Sequence, residues 1–130
     1  MVTTNCLAAW VFETDGRIEG HIALHTIWSD EVAELASISV GRSREALVSI
    51  SRLLVALGAR GRGIGESLMS AAVNEARVSG LWPVLDVVTT YAPAIALYER
   101  LGWTHIGTFA FPMPNGETID EHIYAAPRLN

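Results

Sequence analysis

The chain has no lysine, so its nine basic residues are all arginine, set against 14 Asp and Glu for a formal net charge of −5. A surface with that balance is unsuited to tracking a phosphate backbone, which argues against general nucleic-acid binding. Cysteine is scarce as well. Cys6 stands alone, which rules out an internal disulfide and leaves the redox compartment open. No histidine accompanies it in a nucleophile motif, so it is read as a small strand residue. No apolar run reaches the ~18 residues of a membrane span, and no charged segment ahead of an apolar one marks a leader. The expectation is a cytoplasmic protein that does not enter membranes. Repeats, linkers and low-complexity tracts are missing too, and 130 residues are read as a single domain, 1–130. Apolar residues are plentiful, at half of the chain, and the mean hydropathy of +0.29 implies a buried subunit interface.

The arginines are not spread evenly: Arg52, Arg60 and Arg62 fall within one short stretch. Leu53 to Leu57 is a continuous apolar run bounded by Gly58, the pattern of a strand covered on both faces. From Ile64 the apolar period becomes helical, through Leu68, Met69, Ala72, Val73 and Ala76, with Gly80 suited to the position just past the helix end. Between strand and helix lie Arg60, Gly61, Arg62, Gly63 and Gly65. Glycines let a backbone approach a ligand closely, and the first turn of a helix favours anions. The stretch therefore reads as a diphosphate cradle, the competing reading being a tight turn with solvated arginines. It is not a phosphate loop of the Gly-Lys-Ser/Thr type. Nor is it a dinucleotide fingerprint, because Glu66 stands where the last glycine belongs.

A second segment, Ala94-Ile95-Ala96-Leu97-Tyr98-Glu99-Arg100-Leu101-Gly102-Trp103, follows at a fitting distance. Taken with Arg60-Gly61-Arg62-Gly63-Ile64-Gly65, it makes the chain resemble the GNAT superfamily of acyl-CoA-dependent N-acetyltransferases over roughly residues 51–104. The resemblance implies an α+β, three-layer fold: a mixed, mostly antiparallel central sheet with helices on both faces. It also implies acetyl-CoA as co-substrate, a primary amine as acceptor, direct attack in a ternary complex and no metal. Members of the family usually carry a strand and a helical pair ahead of the first hairpin, and this chain is expected to lack them. An uncovered sheet edge would be prone to aggregation, so a homodimer is expected. The alternative reading is a module that binds acetyl-CoA without turnover.

In chain order, strands are expected at Leu7–Glu13 and Ile18–Ile27, joined by a turn at Asp15-Gly16. His21 and His25 lie about 13 Å apart along such a strand, too far for one metal ion. A helix opens after Ser29, and 38–46 is read as a loop with room for one helical turn after Ser43. A strand over 48–57 leads into the helix 63–79. Then come a strand from Pro83 to Val88, a helix over 92–101 with Pro93 in its first turn, and strands over 103–111 and 117–125.

By the same resemblance, the 60–65 turn holds the coenzyme A pyrophosphate. Main-chain groups of Leu53, Leu54 and Val55 would pair with the pantetheine arm, the Val55 N–H facing the thioester oxygen. Tyr98 would be the general acid for the leaving thiolate; its other reading is an aromatic residue packed on the sheet. Asp86 is the candidate base, in competition with a water chain. Tyr91 stands where the family commonly has an asparagine bonded to the cofactor arm.

Overall fold

The computed structural model describes residues 6–61 and 63–128. Arg62, and the side chains of Cys6, Arg52 and Leu57, lie outside the described residues. Six strands form one sheet: β1 (Cys6–Thr14), β2 (Arg17–His25), β3 (Leu47–Val55), β4 (Trp82–Val88), β5 (Thr104–Pro112) and β6 (Thr118–Ala125). Three helices join them: α1 (Asp30–Val40), α2 (Ile64–Val78) and α3 (Ala92–Arg100). The sheet order is β1-β2-β3-β4-β6-β5, antiparallel throughout except for the parallel β3–β4 pair. The expected mixed sheet with helices on both faces is therefore present.

The two faces carry separate cores. Helix α1 covers β3, β5 and β6, where Val32, Ala33 and Ala36 meet Leu47, Val84 and Ile123. Helices α2 and α3 cover the other face, where Ile64, Leu68, Met69 and Tyr98 meet Ile22, Val48, Leu85 and Tyr124. At Gly20 of β2 the approach is so close that a Cβ would stand 2.8 Å from Ile64 and Leu68. Only a residue without a side chain lets α2 settle there.

Local chemistry accounts for most boundaries. Asp15 and Gly16 both take positive φ (50° and 80°), as a two-residue hairpin turn requires. Gly80, also at positive φ, closes α2: its N–H donates to Arg77 O, and Leu81 N–H donates to Ala76 O at 2.8 Å. The Ser29 hydroxyl caps α1 by accepting from Val32 N–H at 3.3 Å.

Two expectations need correction. Residues 38–40 are helical rather than loop, because α1 continues to Val40 and stops at Gly41, whose φ of 71° is left-handed. The polar, glycine-broken stretch from Ser39 to Arg44 suggested a loop, but Ser39 is exposed on the solvent side of the helix and the Ser37 hydroxyl donates to Arg42 O across the helix end. The short helical turn after Ser43 is present, at Arg44–Ala46. Similarly, the strand expected to reach residue 57 ends at Val55, and a 3-10 turn spans Leu57–Ala59. Nor is its apolar end covered on both faces, since Leu54 is 65% exposed.

Candidate active site

The reason for Leu54's exposure also creates the site. Along β2–β3, Ala23 pairs with Ser51 but His21 pairs with Leu54, so β3 carries an extra residue between them, a β-bulge. Before the bulge, Val48 and Ile50 face the α2 core; after it, Leu53 and Val55 do. The same irregularity parts β3 from β4. Their parallel pairing runs from Leu47–Trp82 to Ile50–Leu85 and goes no further. Beyond that point β3 stays on β2 and β4 stays on β6, which leaves a wedge between them.

The wedge opens into a cleft of about 690 Å³. On the α2/α3 side it is bordered by Arg60, Gly61, Gly63, Gly65 and Arg100. Gly61 and Gly63 have φ of 85° and 76°, a conformation that excludes ordinary side chains, although a Cβ on either would meet nothing within 4 Å. Gly63 is the N-cap of α2 and provides no side-chain cap, and the first turn of the helix, whose amides have no intrahelical partner and lie in a positive end-field, borders the cleft. Gly65 has ordinary φ, and its Cβ would only touch Leu97 and Val55, at 3.7 and 3.8 Å. Arg100 is tethered to Glu66 by an exposed ion pair at 3.2 Å. Leu53, Val55 and the buried Ile64 line the cleft, as does Tyr91 at the N-cap of α3. The Leu54 side chain does not.

Tyr98 lies both in the core and at the cleft. Its ring is 6% exposed and packs in the core at 6.2 Å from Trp103 and 6.1 Å from Tyr124, yet it also lines the cleft. Burial first, then the negative charges of Asp86 and of an ionised Tyr91, push its hydroxyl up to about 12. At neutral pH it is a committed hydrogen-bond donor.

The α1 side of the cleft has the opposite character. Val84 and Ile123 belong to the α1 core, and alternation from them puts Asp86, Val88 and Glu121 on that same face. Asp86 and Glu121 both line the cleft, close enough for a side-chain hydrogen bond to Asp86 to be the largest influence on the Glu121 carboxyl. That bond, then burial, then the Asp86 charge raise the Glu121 carboxyl to about 8, so Glu121 keeps its proton at pH 7 beside Asp86. Ser51 reaches the same cleft from β3, and its hydroxyl oxygen is buried with no hydrogen-bond partner among the described residues. Glu121 was not singled out in the sequence; an acidic residue in a strand, here directly after Asp120, gives no sign of the carboxyl it will meet across β4 and β6. Among the described residues, no cluster of three or more His, Cys, Asp or Glu is placed to hold a metal ion. No helix among them is long and apolar enough to cross a membrane.

The cleft thus runs through the sheet, cationic and amide-rich at one mouth and acidic at the other. A family model described as the acetyltransferase (GNAT) family matches residues 3–103. The chain belongs to the GNAT family. Streptothricin acetyltransferase from Streptomyces lavendulae is 39% identical over 80 residues, which make up 59% of this chain and 41% of that protein. The N-acetyltransferase of Staphylococcus aureus Mu50 superposes with a TM-score of 0.71 at 20% identity, over 90% of this chain and 65% of that one. The yncA structure from Salmonella typhimurium, which includes its cofactor acetyl-CoA, gives a TM-score of 0.70 at 22% identity, over 90% of this chain and 62% of that one. This GNAT chain therefore spans less than two thirds of the length of each.

Proposed function

We propose that the chain is an N-acetyltransferase that moves the acetyl group of acetyl-CoA to a primary amine by direct attack within a ternary complex. The observation that carries this reading is the polarity of the cleft. The amides of the Arg60–Gly65 turn and the Arg60 guanidinium suit a pyrophosphate, with Arg62 as a further cation outside the described residues. The unpaired β3 edge at Leu53, Leu54 and Val55 suits an added extended chain such as pantetheine, with the Val55 N–H toward the thioester oxygen. The acidic mouth suits an ammonium group arriving from the α1 side.

In this reading the ionised Asp86–Glu121 pair takes the proton that the attacking amine loses. As the new C–N bond forms and the C–S bond breaks, the Tyr98 hydroxyl meets the developing thiolate. A phenol near 12 is too weak an acid to hand its proton to a thiolate whose thiol has the ordinary pKa of ~8.5. Tyr98 therefore stabilises the thiolate by a charge-assisted hydrogen bond, and solvent supplies the proton later. Ser51, with its unsatisfied hydroxyl, is available to the incoming amine or the acyl arm. Tyr91 contributes a ring or hydroxyl beside the arm.

The deciding experiment is thiol release from acetyl-CoA across an amine panel that includes streptothricin, polyamines and peptide amino termini. Amine-dependent release supports transfer. Coenzyme A binding without release by any amine would favour a binding module instead. We also propose a homodimer, in which a second copy covers the open edge of β1 and its apolar outer face.

A further inference from the structure

A second cavity, of about 260 Å³, lies at the end of the β3–β4 pair farthest from the cleft, where Leu47 pairs with Trp82. Three arginines line it, Arg42, Arg77 and Arg128, and no carboxylate does. Among the described residues none of the three is in an ion pair, whereas Arg17, Arg44 and Arg100 all are. In a chain of net charge −5, a third of the cations thus line one small hollow, with no ion pair to any of them among the described residues. Like charges so gathered repel one another, and an anion between them would remove that cost.

The hollow is also prearranged. The Arg42 guanidinium stands 5.6 Å from the centre of the Trp82 ring and that of Arg128 stands 5.8 Å from it, both within cation–π range. The ring is held in turn by its indole N–H, which donates to Ala126 O at 3.0 Å. Buried Pro83 and Ala126 form the floor. Two exposed guanidinium forks beside one ring, itself tied by its indole N–H, suit the paired oxygens of a phosphate or carboxylate. The volume falls below the ~300–1,000 Å³ of sites for drug-sized ligands, so the occupant is small.

We propose that the Arg42–Arg77–Arg128 hollow is a binding site for a small dianion bearing a phosphate monoester or two carboxylates, separate from the cleft. Trp82 and Asp86 lie on one strand about 13 Å apart, so the two sites can be read independently. The proposal does not depend on acetyl transfer.

The test titrates the whole chain with inorganic phosphate and, separately, with succinate, at constant ionic strength set by chloride. The readout is the indole N–H resonance of Trp82, assigned by its loss in Trp82→Phe. A saturable shift with either anion supports the site, and which anion produces it identifies the ligand chemistry. In the double variant Arg42→Gln/Arg128→Gln the same titration should weaken about tenfold or more, while coenzyme A binding, measured by calorimetry, stays unchanged. No saturation with either anion below about 10 mM, or an equal shift in the double variant, would overturn the proposal.

Discussion

Glu121 and Asp86 show how much a single neighbour changes a carboxyl group. Glu121 loses its proton only as pH rises through about 8, so the base becomes available in that range. The rate of amine-dependent thiol release should climb with an apparent pKa near 8. In Glu121→Gln that limb should be lost, with kcat/KM at pH 9 down by about tenfold or more. The folded pKa of Glu121 is raised above its ordinary value, which fixes the sign for stability. The contribution is fully present below the usual carboxylate range and is lost as pH rises to about 8. Thermal melts should therefore show the Tm of the parent falling across that window relative to Glu121→Gln, and a parallel course in the two proteins would count against a proton held on Glu121. Tyr98→Phe removes a donor without removing the ring that packs on Trp103 and Tyr124. Its kcat should drop about tenfold to a hundredfold, the worth of one hydrogen bond to a charged group, with the KM for acetyl-CoA nearly unchanged. Of these residues Tyr98 and Asp86 were legible because they sit in or near a motif. Glu121 was not, because what makes it unusual is contributed by another strand.

Among the elements, those bounded by local chemistry were readable in advance: the Asp15-Gly16 hairpin, and α2 between Gly63 and Gly80. Helix α1 was half readable, its Ser29 cap plain and its end hidden by the polar, glycine-broken stretch that begins at Ser39, a residue that a helix surface tolerates. The bulge in β3 was hidden altogether. Nothing in Arg52-Leu53-Leu54-Val55 separates an apolar run buried on both faces from one that shifts its phase and turns Leu54 outward. That distinction depends on how β2 and β4 hold the strand. The start of α2 offers the sharpest test at this scale. Gly63→Ala has room but not the backbone conformation, at a cost of about 1–2 kcal/mol, and should loosen coenzyme A while leaving the fold intact. Gly63→Glu adds an anion at the proposed pyrophosphate site and should abolish binding detectable by calorimetry. Retained binding in Gly63→Glu would remove the pyrophosphate from the Arg60–Gly65 turn.

For the molecule as a whole, the fold class and the arrangement of helices on two faces followed from the order of elements, while the sheet order and the position of the wedge required coordinates. The outer face of the first three strands is the least satisfied surface. Val11, His21 and Leu54 are paired across β1, β2 and β3 and so share it, and Leu7 lies four residues before Val11 on β1, with Leu7, Val11 and Leu54 all well exposed. Light scattering at micromolar concentration should report a dimer, and Val11→Glu should shift it to monomer with little loss of Tm. A monomeric parent protein would refute the proposed pairing.

The cleft has two mouths, one on each side of the sheet. Each reactant would therefore have a doorway of its own, so neither need wait for the other, and spent coenzyme A need not leave past the new amide. Initial rates over a grid of both concentrations should describe random-order addition, with each KM insensitive to the level of the other reactant.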